Sequence, residues 1–156
     1  MPNFISPELI EHVALLRGSY RHWTGKDLLP PGISEVDAVR ALDDAPFAVV
    51  SHGVQADPVF NYGNRLALRL FEMAWEEFTT LPSRLSAEPV DRDERQGLLA
   101  QVSAHGYSDN YSGVRISKSG RRFMICDATV WNLIDAQGRH RGQAALIRAW
   151  QALPQL

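Results

Sequence analysis

Phe60-Asn61-Tyr62-Gly63-Asn64, with Leu70 and then Glu76-Glu77-Phe78 behind it, is the stretch from which the fold is read. Phe60 and Tyr62 alternate with polar or small neighbours, the period of a half-buried strand. Asn64 then fits the N-cap of a helix over 65–73 that carries Leu66, Leu70 and Phe71 on one face. Upstream, Phe47 to His52 is an apolar, β-branched run that stops at Gly53, and Asp57-Pro58 punctuates the gap. Two strands joined as a hairpin, followed at once by a helix, are the expectation.

Near the N-terminus, Ser6-Pro7-Glu8 reads as a helix start: a cap, a proline at the first position and a carboxylate in the first turn. Leu9, Val13, Leu16, Tyr20 and Trp23 follow at spacings of four and three, one apolar stripe. Leu28-Leu29-Pro30-Pro31-Gly32 breaks it, and a second helix is expected from Ser34 to Leu42 with Asp37 placed for a capping contact. Trp75 to Leu81 reads as another turn or two of helix. Asp91 is expected to cap a helix that carries Leu98, Leu99 and Val102 and ends near Gly106. Tyr107–Ser117, Arg121–Ile134 and Gly142–Gln151 read as three long strands with Gly-bearing turns at Lys118-Ser119-Gly120 and Asp135-Ala136-Gln137-Gly138.

Composition narrows the function classes. The 156 residues are 45% hydrophobic and 22% charged, which suits one domain able to bury a core. The net charge of −2 and the scattered basic residues argue against a nucleic-acid face. Cys126 is the sole cysteine, which removes internal disulfides and thiolate zinc sites. No run of 18 apolar residues occurs, and the opening segment is too charged for a secretory leader, so a cytoplasmic protein is expected. The five histidines, at 12, 22, 52, 105 and 140, show no metal-binding spacing, and no phosphate-binding glycine motif occurs. Ser51 and His52 are strand neighbours and point to opposite faces, so they cannot form a dyad with each other.

The element order resembles the PAS fold, and Phe60 to Asn64 with the later Glu76-Glu77-Phe78 resembles that family's strand-to-helix signature. Where the family places Gly between the helix and the Glu pair, this chain has Glu72. A closer resemblance is to the MEKHLA domain, a PAS-like family found alone in bacteria and at the C-terminus of plant homeodomain-leucine zipper proteins. It is carried by Val49-Val50-Ser51-His52-Gly53, Pro58 to Asn64, Leu81 to Pro89 and Tyr111 to Ser117. The resemblance implies an α+β, PAS-like five-stranded antiparallel sheet with helices on one face. Residues 1–33 would be an N-terminal helical extension and 34–156 the PAS-like domain. It implies a sensory or regulatory role without catalysis, through a small-molecule ligand, a protein partner or a homodimer, and leaves any cofactor unspecified. Light-oxygen-voltage domains carry a reactive cysteine that would fall near Ser83-Arg84-Leu85-Ser86, where this chain has none. Haem would need a histidine such as His105, which reads better as a helix-end residue.

Strand alternation then sets two site expectations. The even positions Met124, Cys126, Ala128, Val130 and Ile134, with Asn132 among them, are expected to face the helices. Their small residues leave room beneath Phe71, Trp75 and Phe78. A ligand cavity bordered by Phe71, Trp75, Phe78, Cys126, Ala128 and Asn132 is therefore expected. The alternative is a filled core and a pure interaction module. The odd positions Phe123, Ile125, Trp131 and Leu133 would make an outer face, together with Leu146 and Trp150. Leu9, Val13, Leu16 and Tyr20 of the first helix are expected to cover it.

Overall fold

The cap signals at Ser6, Ser34 and Asn64 are used as expected. In the computed structural model, which describes residues 5–154, Ser6 Oγ accepts from the Leu9 N–H at 3.1 Å and opens α1 (Pro7–Thr24). Gly25 closes it in the left-handed region at φ 73°. Ser34 Oγ caps α2 (Glu35–Asp43) through the Asp37 N–H. Strands β1 (Ala48–His52) and β2 (Phe60–Gly63) form the hairpin, and α3 (Arg65–Phe71) and α4 (Trp75–Phe78) follow. A single 3-10 turn spans Ser83–Ser86. Helix α5 (Pro89–His105) then leads into β3 (Tyr107–Ile116), β4 (Arg122–Ile134) and β5 (His140–Ala152). Asp91 is not the cap of α5: Pro89 takes the first helical position and Glu88 the cap position, without a side-chain bond. A proline there already lacks the N–H that a cap would satisfy.

The five strands form one antiparallel sheet in the order β2-β1-β5-β4-β3. One face packs on α1 and α2 through Leu9, Val13, Leu16, Tyr20, Val39 and Leu42 against Val49, Tyr62, Trp131, Leu133 and Leu146. The first helix therefore covers Trp131, Leu133 and Leu146 of the expected outer face, but not Phe123, Ile125 or Trp150. Trp131 is fully buried there, with Tyr20 edge-on to it at 5.0 Å, while Trp150 stays 37% exposed. Polar stitches hold α1 in place. Ser19 Oγ accepts from the Ile134 N–H and donates to its carbonyl, and Trp23 Nε1 donates to the Asn132 carbonyl at 2.9 Å. Trp23 lies so close over Gly106, itself at φ 98°, that a Cβ there would meet the indole at 2.4 Å.

The opposite face packs on α3, α4 and α5 around Phe60, Phe71, Phe78, Leu98 and Val102. Here strict alternation along β4 fails. Phe123 and Ile125 share this helix-covered cluster with Ala128 and Val130, so the face changes from odd to even positions within the strand. The change falls at Asp127, which has φ 48°, where one residue of β3 (Ser112) opposes two of β4 (Cys126 and Asp127) between the pairs Tyr111–Ala128 and Gly113–Ile125. That is a β-bulge, and one extra residue reverses every side chain beyond it. Met124 and Cys126 consequently lie on the face opposite to the one expected.

Asn64, with no exposed surface, ties the two halves together. Its Oδ1 accepts from the Ala67 N–H, the helix cap, and from the Val49 N–H of β1. Its Nδ2 donates to the carbonyls of Leu42 and Phe47, the end of α2 and the entry to β1. Buried Asp43 adds bonds to the Arg65 N–H and guanidinium next door. Asn64→Ala removes a hydrogen bond from four backbone groups, of which the Leu42 carbonyl keeps the Ala45 N–H, and is expected to destabilise the fold by about 3 kcal/mol. Asn64→Asp is expected to be comparably damaging, because a second oxygen would face two carbonyls. Urea unfolding of the two variants checks both; a loss below about 1 kcal/mol for Asn64→Ala would contradict the reading.

Candidate functional site

A small cavity of about 50 Å³ lies between the sheet and α5. Phe71, Leu98, Leu99, Ile125, Val130, Ala145 and Ile147 give it an apolar wall, and His52, Gln143, Arg95, Arg115 and Tyr111 a polar one. Of the six residues expected to border it, only Phe71 does. Ala128 and Phe78 belong to the same buried cluster without lining the space. Trp75 packs on the other face, edge-on to Tyr62 at 5.7 Å. The bulge at Asp127 turns Cys126 away, leaving its thiol within 3.6 Å of the Met124 carbonyl.

Asn132 spends its amide on protein. Nδ2 donates to the Val102 carbonyl at 2.8 Å, and Oδ1 accepts from Gln143 Nε2 at 3.1 Å. Gln143 Nε2 also lies within bonding distance of the Leu99 carbonyl and Ser103 Oγ, two donors shared among three acceptors. These two amides pin α5 to the sheet beside the cavity. The helix otherwise buries only Arg95, Leu98 and Val102.

The polar wall is not electrically balanced. Arg95 and Arg115 are each 7% exposed, and among the described residues neither has a carboxylate within salt-bridge distance. Arg95 donates to Ser83 Oγ at 2.9 Å. Arg115 donates to the Val114 carbonyl and to Tyr111 Oη, which in turn donates to exposed Glu94 at 3.0 Å. Burial, followed by the like charge of Arg115, lowers the Arg95 pKa to about 10. His52 sits at the end of β1, 8% exposed, and its Nδ1 donates to the Gly53 carbonyl at 3.0 Å. Its Nε2 has no partner that meets hydrogen-bond distance and angle, so the ring is only half satisfied; burial lowers its pKa, and the Gly53 carbonyl and the nearby Gln143 side chain oppose this more weakly. A fully satisfied strand-end histidine was the expectation, and the structure corrects it.

On the other face the fold brings together a pair that no motif announced. His12 Nε2 of α1 and Ser51 Oγ of β1 are 2.8 Å apart, with His12 stacked on Tyr62. The Ser51 hydroxyl proton is committed to Asn61 Oδ1 at 2.5 Å, so His12 is the donor to Ser51. A histidine that gives a proton to serine does not activate it as a nucleophile. The pair clips α1 to β1. Among the described residues no three His, Cys, Asp or Glu side chains converge as a metal site, and no helix is long and apolar enough to cross a membrane. His105 is exposed at the end of α5.

Residues 10–152 match the model of the MEKHLA domain, a span that takes in most of α1. The chain is 26% identical over 153 residues to the homeobox-leucine zipper protein ATHB-9 of Arabidopsis thaliana, covering 93% of this chain but only 18% of that protein's length. In structure it is similar to the PAS domain of a protein from Colwellia psychrerythraea, with a TM-score of 0.63 at 14% identity over 76% of this chain and 95% of that one. It is also similar to a fungal LOV domain photoreceptor, with a TM-score of 0.59 at 18% identity over 92% and 91% of the two chains. These likenesses show the PAS-like fold.

Burial, and secondarily the charge of Arg141, lowers the His12 pKa from its ordinary 6.5 to about 4. The folded protein therefore resists protonation at a site that the unfolded chain protonates first. Stability is full above about pH 7 and falls with pH between about 6.5 and 4, by as much as about 3 kcal/mol if His12 acts alone. Urea midpoints measured from pH 7 to pH 5 are expected to drop in the wild type and to drop less steeply in His12→Gln. Equal slopes would contradict the assignment.

Proposed function

The chain belongs to the MEKHLA domain family, and on that premise we propose that it is a sensory or regulatory domain that binds a small molecule between its sheet and α5 and catalyses no reaction. The observation that carries this reading is the cavity itself. It lies between the sheet and its helical cover, and one wall is polar with an acceptor, His52 Nε2, that no protein donor satisfies. Native interiors rarely leave such an atom alone, and a ligand or water is the usual partner. Helix α5 is the natural reporter, since few of its residues are buried and it closes over the space.

Flavin does not fit this site. The cavity is far smaller than the several hundred Å³ of pockets that bury a drug-sized ligand. The only thiol lies on the face of β4 turned away from it, and the turn Ser83–Ser86 offers hydroxyls where a thiol adduct would need sulfur.

A protein partner is the second reading, and a specific feature favours it. Beyond Ile147, β5 has β4 on one side, and its pairing with β1 has already ended at Ala48. Trp150 is exposed on that stretch. An unpaired edge with an exposed indole suits strand addition by a partner or a second copy.

Two-dimensional NMR of the labelled protein against a library of small fragments tests the ligand reading. Binders are expected to shift Val50, Leu98, Val130 and Ala145 together with neighbouring amides of α5. Ala145→Leu, which fills the space, is expected to reduce those shifts at least fivefold. Shifts confined to Trp150 and the end of β5 would favour the partner reading instead.

A further inference from the structure

We propose that the cavity takes a short-chain carboxylate, its carboxyl group held between Arg95 and Arg115 and its alkyl chain against Phe71, Leu98, Val130 and Ile147. This rests on the reading of the cavity as a ligand site and adds the chemistry of the ligand.

Two arginines, each 7% exposed, line one cavity, with no carboxylate in salt-bridge distance of either among the described residues. Burying one uncompensated cation is costly, and a neighbouring like charge adds to the cost. Exposed Glu94 reaches Arg115 only through the Tyr111 hydroxyl. Arg95 has a single side-chain hydrogen bond, to Ser83 Oγ, and so keeps most of its five N–H donors for something else. An anion placed between the two arginines neutralises both, and a planar carboxylate matches the guanidinium fork.

Size and lining set the rest of the ligand. A water-sized group needs roughly 10–15 Å³ of such space, so about 50 Å³ accommodates roughly three to five of them. A carboxyl group with two or three carbons fills that. The opposite wall is hydrocarbon and aromatic, which rewards an alkyl chain and offers nothing to a second anionic group. Arg95 lies on α5 and Arg115 on β3, so the carboxylate would draw the helix toward the sheet edge.

The test is an NMR titration of the full chain at pH 7 with three probes: propionate, its neutral isostere propionamide, and nitrate, a planar anion without a chain. Propionate is expected to shift Leu98, Val130 and Ala145, and to bind at least tenfold more tightly than either other probe. Arg95→Met is expected to bring propionate and propionamide within threefold of each other. If that variant does not give a folded spectrum, Arg115→Met takes its place, and the wild-type ranking stands as a test without either. Equal binding of propionate and propionamide in the cavity would overturn the carboxylate assignment while leaving a ligand site. Nitrate as tight as propionate would overturn the alkyl half. Shifts from no probe at the cavity residues would overturn this proposal, and a fragment screen equally silent there would overturn the ligand reading beneath it.

Discussion

Asn64 has no exposed surface, and its carboxamide reaches backbone groups as far as 22 residues away in sequence. All four of its hydrogen bonds go to main chain: the end of α2, the entry to β1, the first residues of β1 and the first turn of α3. A carboxamide alone offers two donors and a two-lone-pair acceptor in one plane, which is why neither Asp nor Ser could replace it. With this residue in place, β1 and β2 are fixed against each other and α2 is fixed on one face of the sheet. On the other face α3 leaves in the direction that carries Phe71 over the sheet. Phe71, at the end of α3, lines the cavity.

The two faces of the sheet have different characters. On the α1–α2 face the packing is continuous and reinforced by polar clips at Ser19, Trp23 and His12, each joining a helix side chain to a strand. On the other face α5 is held by three buried residues and by the amides of Asn132 and Gln143, and one of those three, Arg95, is like Arg115 of β3 an arginine without a counter-charge. A domain that converts binding into a change of shape needs a rigid frame and one loosely held element. The chain divides in that way, with α5 as the loosely held part.

Much of the architecture was legible because it rests on local chemistry. The caps at Ser6, Ser34 and Asn64, the glycine stops and the turn signals placed the elements within a few residues. The stripe Leu9, Val13, Leu16, Tyr20 announced which face of α1 was buried. What stayed hidden depended on pairing between distant segments. The bulge at Asp127 arises from the register of β4 against β3, so alternation counted along β4 alone assigned Phe123, Ile125 and Cys126 to the wrong faces. Glu72, standing where the family places Gly, does adopt the left-handed conformation of that position at φ 59°, with its carboxylate held by Ser117 and Ser119, contacts the local sequence did not show. The arginines left a signal that went unread. Arg95 stands three and seven residues before Leu98 and Val102, on the same helical stripe, and Arg115 shares the phase of Tyr111 along β3. A charge on an apolar stripe is where a buried site announces itself.

The central claim is a rigid frame built on Asn64 with α5 as its movable wall, and native-state hydrogen exchange tests it most directly. The Val49 and Ala67 amides, both bonded to Asn64 Oδ1, are expected to exchange only through global unfolding, with the same free energy as urea denaturation reports. The amides of α5 from Leu98 to Val102 are expected to open at a lower free energy, by at least about 2 kcal/mol. Equal protection of α5 and the Asn64-bonded amides, or early exchange at Val49 and Ala67, would contradict the account.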